Sequence, residues 1–153
     1  MTSSGRTNQL LYQAELLLAV LAGNDEHAVA RRQSAEEGAL ALLELSLNSA
    51  LRELTEHARL PRHEWRELLA ADASPVAELT QLRSLAAQPE SWLGWLLGRL
   101  QALHGVDGAA RREVASPMTI AVAGQRDLGD ELAGCIAEFK ATLARLRETS
   151  VEW

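Results

Sequence analysis

The sequence predicts an all-α fold, a helical bundle of four main helical regions with short accessory helices, and three observations carry that prediction. Leucine and alanine dominate while aromatic residues make up only 4% of the chain, which leaves few of the residues that build a sheet. Apolar residues recur at spacings of three and four over long stretches, the period of a helix that buries one face. Gly, Pro and capping residues punctuate those stretches at helical lengths. With 153 residues, 47% of them apolar and 24% charged, the chain has the size and balance of a single globular domain spanning residues 1–153.

The first helix rests on Leu10, Ala14, Leu17 and Leu21, with Leu11 and Leu18 widening the stripe, and Gly23 and Asn24 are expected to close it. Thr7 or Asn8 is its expected cap. The next helix is expected from about Asp25 to Arg59, with Leu40, Leu43, Leu47, Leu51, Leu54 and Ala58 on one face. Gly38 is its weak point, and Ser34 with Glu37 has the spacing of a capping box that would restart it there. Pro61 ends that helix and can open a short one carrying Trp65, Leu68 and Leu69. Ser74 and Pro75 then start a helix through Leu79, Leu82 and Ala86, which Pro89 breaks.

From Glu90 to His104, Trp92, Leu93, Leu96, Leu97, Leu100 and Leu103 mark a largely buried helix capped by Gly105, in which Trp92 and Trp95 are expected to build one aromatic ridge. Residues 105–125 are broken by Gly and Pro and read as a loop with one helical turn at Ala109 to Val114. The last long helix is expected from Arg126 to Glu148 through Leu128, Leu132, Ile136, Phe139, Leu143 and Leu146. Trp153 is expected either to pack back onto the bundle or to mark a subunit contact or a flexible tail.

Acidic residues outnumber basic ones by 21 to 15, a formal charge of -6 that repels nucleic acid and anionic membranes on average. The doublets Arg31-Arg32 and Arg111-Arg112 each lie near carboxylates and read as solvated faces. Cys135 is the only cysteine, so no internal disulfide or cysteine-based zinc cluster is possible; it sits in the apolar pattern as a small hydrophobe. No export signal or membrane-spanning stretch is expected, and the location read from these features is the cytoplasm of a reducing compartment.

Candidate chemistry is thin. Arg52 followed by His57 has the residue types of a small helical ribonuclease, histidine as acid or base and arginine stabilising a phosphoryl transition state. The plainer reading pairs Arg52 with Glu56 and His57 with Glu53 at four-residue spacing along an exposed helix. His27, His57, His63 and His104 are scattered singly, and Glu44 with Asn48 reads as a solvated face, so no metal ligands and no cofactor are expected.

Arg6-Thr7-Asn8-Gln9 followed by Leu11-Tyr12, the Ser74-Pro75 helix start and Gln88-Pro89-Glu90-Ser91-Trp92-Leu93 resemble an uncharacterised all-helical family of pseudomonads and related bacteria, a domain of unknown function. The resemblance covers most of the chain and implies no activity, but it draws attention to Arg6, Asn8, Gln9, Tyr12 and Trp92 as ligand or interface candidates, with Trp95 beside them. The leading expectation is a non-enzymatic protein-interaction module whose partner is a second copy of the chain or another protein. The alternatives are a small-molecule pocket lined by Tyr12, Trp92 and Trp95, and a ribonuclease using Arg52 and His57.

Overall fold

The computed structural model describes residues 1–70, 76–109 and 127–151. Among these residues every regular element is helical: α1 (Ser3–Leu18), α2 (Ala28–Leu54), α3 (Trp65–Leu68), α4 (Ala77–Ala86), α5 (Trp92–Leu103) and α6 (Leu128–Val151), with a 3-10 turn at Glu56–Ala58. The four long helices are α1, α2, α5 and α6. Residues 71–75, 110–126, 152 and 153 lie outside the described residues. The expectations for Ser74 and Pro75, for Arg111-Arg112, for most of the 105–125 loop and for Trp153 therefore fall outside them as well.

Paired side chains fix the topology. Thr7 meets Ser49 and Gly38 lies against Leu17, so α1 runs antiparallel to α2. Arg147 reaches Asn8 while Lys140 pairs with Glu15, so α6 is antiparallel to α1 and parallel to α2. Trp92 meets Thr142 and Arg99 meets Glu131, which sets α5 antiparallel to α6. The result is a four-helix bundle with α1, α2, α5 and α6 in ring order, in which α2 and α6 also touch across the diagonal. At 27 residues α2 is about 40 Å long and contacts every other helix. The short helices α3 and α4 lie in the connection from α2 to α5.

The spacing argument holds best where helices are covered on several sides. Leu128, Leu132, Ile136, Phe139, Leu143 and Leu146 of α6 are all buried, as are Leu40, Leu43, Leu47, Leu51 and Leu54 of α2 and Leu93, Leu96 and Leu100 of α5. Each contributes about 1.5–3 kcal/mol relative to an exposed position. Cys135 is buried among them, and burial followed by the nearby Glu138 carboxylate pushes its thiol up to about 12.

Several boundaries differ from the expectation. α1 starts five or six residues earlier than a cap at Thr7 or Asn8 requires, because the Thr2 hydroxyl accepts the Gly5 N–H at 3.0 Å. Thr7 is instead buried, with its hydroxyl 2.7 Å from that of Ser49. α1 also ends at Leu18, and Leu21 is exposed beyond it. No capping box restarts α2 at Ser34: the helix is continuous, and the Ser34 hydroxyl bonds back to the Ala30 carbonyl at 2.8 Å. Gly38 is a point of close approach, since a Cβ there would lie 2.7 Å from Leu17 Cδ2. α2 stops at Leu54, and the 3-10 turn after it ends on Arg59 in the left-handed region. Pro61 is outside α3, whose cap is the Glu64 side chain accepting the Arg66 N–H at 3.0 Å.

Candidate functional site

The sequence candidates fall into separate places. On α1, Arg6 donates to Gln9 Oε1 at 2.7 Å, and Asn8 turns the other way to accept from Arg147 at 3.0 Å. Arg147 also grips the Glu53 carboxylate through Nη2 at 3.1 Å and through Nε, so one guanidinium ties the ends of α1, α2 and α6 together. Asn8 is thus a structural contact.

Tyr12 does not bridge core and solvent; it is 59% exposed. At 100° per residue Gln9, Tyr12, Gln13 and Leu16 share the face of α1 turned away from α2 and α6, and Val20 continues that line past the helix end. Leu16 and Val20 are 51% and 61% exposed. From Thr7 to Asn24 the one ionisable acid or base is Glu15, apart from the Tyr12 phenol, and Glu15 is turned to Lys140 of α6. The outward face is therefore an apolar and amide strip. Of the exposed large apolar side chains among the described residues, all but Val106 belong to residues 1–54, the α1–α2 hairpin and its connection.

Trp92 fills a seam, as its position in the leucine pattern suggests. Its ring stacks on Phe139 with centroids 4.8 Å apart, its indole N–H donates to Thr142 Oγ1 at 2.9 Å, and only about 10 Å3 remains between Leu47, Trp92 and Phe139. Trp95 carries the Arg99 guanidinium 5.5 Å from its ring centroid. Trp92 and Trp95 do border an open cleft of about 580 Å3 along α6, beside Glu131, Gly134, Glu138 and Arg145. Tyr12 does not line it, so the three-aromatic pocket is not assembled.

Arg52 and His57 are both exposed, but the four-residue pairings expected for them are not made. Because α2 ends between them, Glu53 turns to Arg147, and Glu56 accepts from the Ser3 hydroxyl at 3.0 Å. The histidine that feels Arg52 is His63, whose pKa is lowered first by burial and then by the Arg52 charge, with Glu56 opposing. Arg52 and Arg6 line a second cleft, of about 410 Å3, between the start of α1 and the end of α2, together with Ser3, Leu10, Leu45, Asn48 and Ser49. Sequence spacing could not reveal this pairing, because residues 6 and 52 meet only through the α1–α2 hairpin.

Glu44 and Asn48 are not a solvated face either. Asn48 Oδ1 accepts the Trp65 backbone N–H at 3.0 Å, and Glu44 accepts the Trp65 indole N–H at 2.8 Å and lies 2.8 Å from His104 Nε2. These bonds anchor α3 and the end of α5 to α2. Among the described residues no group of three His, Cys, Asp or Glu side chains is placed to hold a metal, and no helix is long and apolar enough to cross a membrane.

No curated protein and no solved structure matches the chain. The segments around Arg6 to Tyr12 and Gln88 to Leu93 that suggested a family lie within α1 and across the start of α5. A family model spans all of residues 1–153, and the chain belongs to that family, a family of unknown function (DUF6586).

Proposed function

We propose that the protein is a non-enzymatic helical interaction module of the cytoplasm whose partner is a second copy of itself, met through the outward face of α1. The observation that carries this reading is the strip of Tyr12, Gln13, Leu16 and Val20, all exposed and none ionised in a chain of formal charge -6, with the half-buried Gln9 and its partner Arg6 at the edge. A twofold interface sets one patch against its own copy, so any charge in it meets its like. An uncharged strip avoids that repulsion, and Gln13 offers both a donor and an acceptor to the facing surface. Exposed Tyr and Leu supply the apolar area that association buries.

Sedimentation velocity over a range of concentrations tests it. The wild-type chain is expected to dimerise, and Leu16→Glu or Tyr12→Glu to weaken the dimer tenfold or more, about 1.4 kcal/mol or above, by setting like charges face to face. Both positions are exposed, so the variants keep the bundle. A wild-type protein that sediments as a monomer throughout refutes the proposal.

A further inference from the structure

The cleft between the start of α1 and the end of α2 has a composition unlike the rest of the molecule. The chain has 21 acidic side chains to 15 basic, yet the cleft is lined by two arginines and no carboxylate. Elsewhere Arg31, Arg62, Arg66, Arg99 and Arg147 each face a carboxylate within 4.0 Å. Among the described residues Arg6 is satisfied only by the neutral Gln9 amide, and Arg52 makes no ion pair. The Glu56 carboxylate is engaged by the Ser3 hydroxyl at the rim. The first turn of α1 contributes no acidic residue, and Ser49 adds a hydroxyl to the wall.

Guanidinium groups that lack carboxylates in a recess are a common means of holding a phosphate, because their planar donor forks match its oxygens. Leu10 and Leu45 form an apolar wall in the same recess. Its volume of about 410 Å3 is in the range of small-molecule sites and exceeds what a bare phosphate fills. We propose that the cleft binds a small organic phosphate, its oxyanion held by Arg6 and Arg52 and its apolar body resting on Leu10 and Leu45. The site adjoins the α1 outward face at the Arg6–Gln9 hydrogen bond but uses neither Tyr12 nor Leu16, so it does not require the chain to dimerise.

An alternative role for Arg52 is to complement the carbonyl end of α2, where it occupies the last turn. That role would alter stability but bind nothing. The test is isothermal titration calorimetry of the full chain with phenyl phosphate, inorganic phosphate and phenol, comparing wild type with Arg6→Gln, Arg52→Gln and, as a control outside the cleft, Arg62→Gln. All three side chains are exposed, and circular dichroism checks that each variant folds. The expected result is binding of phenyl phosphate more tightly than inorganic phosphate, none of phenol, and a loss of tenfold or more in each cleft variant but not in Arg62→Gln. Absence of phenyl phosphate binding, or equal binding by all the variants, overturns the proposal. Capture by phosphatidylcholine vesicles only when they contain phosphatidic acid, with no affinity for phenyl phosphate, would overturn it in favour of a lipid headgroup.

Discussion

Two alanine substitutions in one helix should have opposite effects, and the difference measures how closely α5 is seated on the turn before it. A Cβ built on Gly94 would lie 2.1 Å from the Gln88 carbonyl oxygen and 3.1 Å from Pro89 Cα. These are backbone atoms of a turn that is held on all sides. The Ser91 hydroxyl donates to the Leu85 and Gln88 carbonyls at 2.6 and 2.9 Å and accepts the Gly94 N–H at 3.0 Å. Gly94→Ala must push this turn back by an ångström, which costs about 1–3 kcal/mol as overpacking and a further ~1 kcal/mol if the Ser91 cap is lost. The gain in helix propensity offsets about 1 kcal/mol of that. At Gly98, one turn on, a Cβ meets nothing within 4 Å, so Gly98→Ala should stabilise by about 0.5–1 kcal/mol. Urea denaturation followed by tryptophan fluorescence reads both, and the two midpoints should lie on either side of wild type. If Gly94→Ala proves as stable as Gly98→Ala, the seating of α5, and with it the placement of Trp92, is wrong.

Further predictions concern the polar contacts. Arg147→Met leaves the Glu53 carboxylate, 11% exposed, without its forked partner and should destabilise the fold by about 1–3 kcal/mol in the same assay; a change within 0.5 kcal/mol would contradict the clamp. Cys135, buried and with its thiol pushed up to about 12, should resist a thiol reagent at neutral pH until denaturant unfolds the chain; stoichiometric labelling of the native protein would count against its place in the core. His63 has a folded pKa below its ordinary value, so the unfolded chain binds the proton more readily, and stability should fall as pH drops from 6.5 through the folded value. Arg52→Gln should move the His63 titration upward by NMR, and no movement would separate the two residues.

Helix identity was legible in the sequence because burial imposes the period. Along α6 the six apolar positions from Leu128 to Leu146 are all covered, since α1, α2 and α5 surround that helix on three sides. The same spacing misled at Leu21, where the apolar pattern outlasts the neighbours that could cover it: α1 ends at Leu18 and the side chain is 89% exposed. Polar pairings were less legible. Four-residue spacing joined Arg52 to Glu56 and His57 to Glu53, but the end of α2 at Leu54 breaks the helical geometry that such pairs need. The partners chosen instead, Arg147 for Glu53 and Ser3 for Glu56, are 94 and 53 residues away. The same holds for Glu44, whose contacts with Trp65 and His104 depend on where α3 begins and α5 ends. The outward face of α1 is visible in outline as an uncharged stretch around Tyr12, but a leucine-rich sequence does not show which of its leucines remain exposed.

Disulfide trapping tests the central claim most directly. In a twofold contact centred on the α1 strip, Leu16 is an exposed position near the middle of the strip and so lies close to the partner copy. With Cys135 buried, a Leu16→Cys chain has one accessible thiol, and mild oxidation should convert it to a covalent dimer at concentrations where a cysteine at the exposed Ala41 on α2 remains monomeric. Equal cross-linking at both positions, or none at Leu16, would contradict self-association through α1.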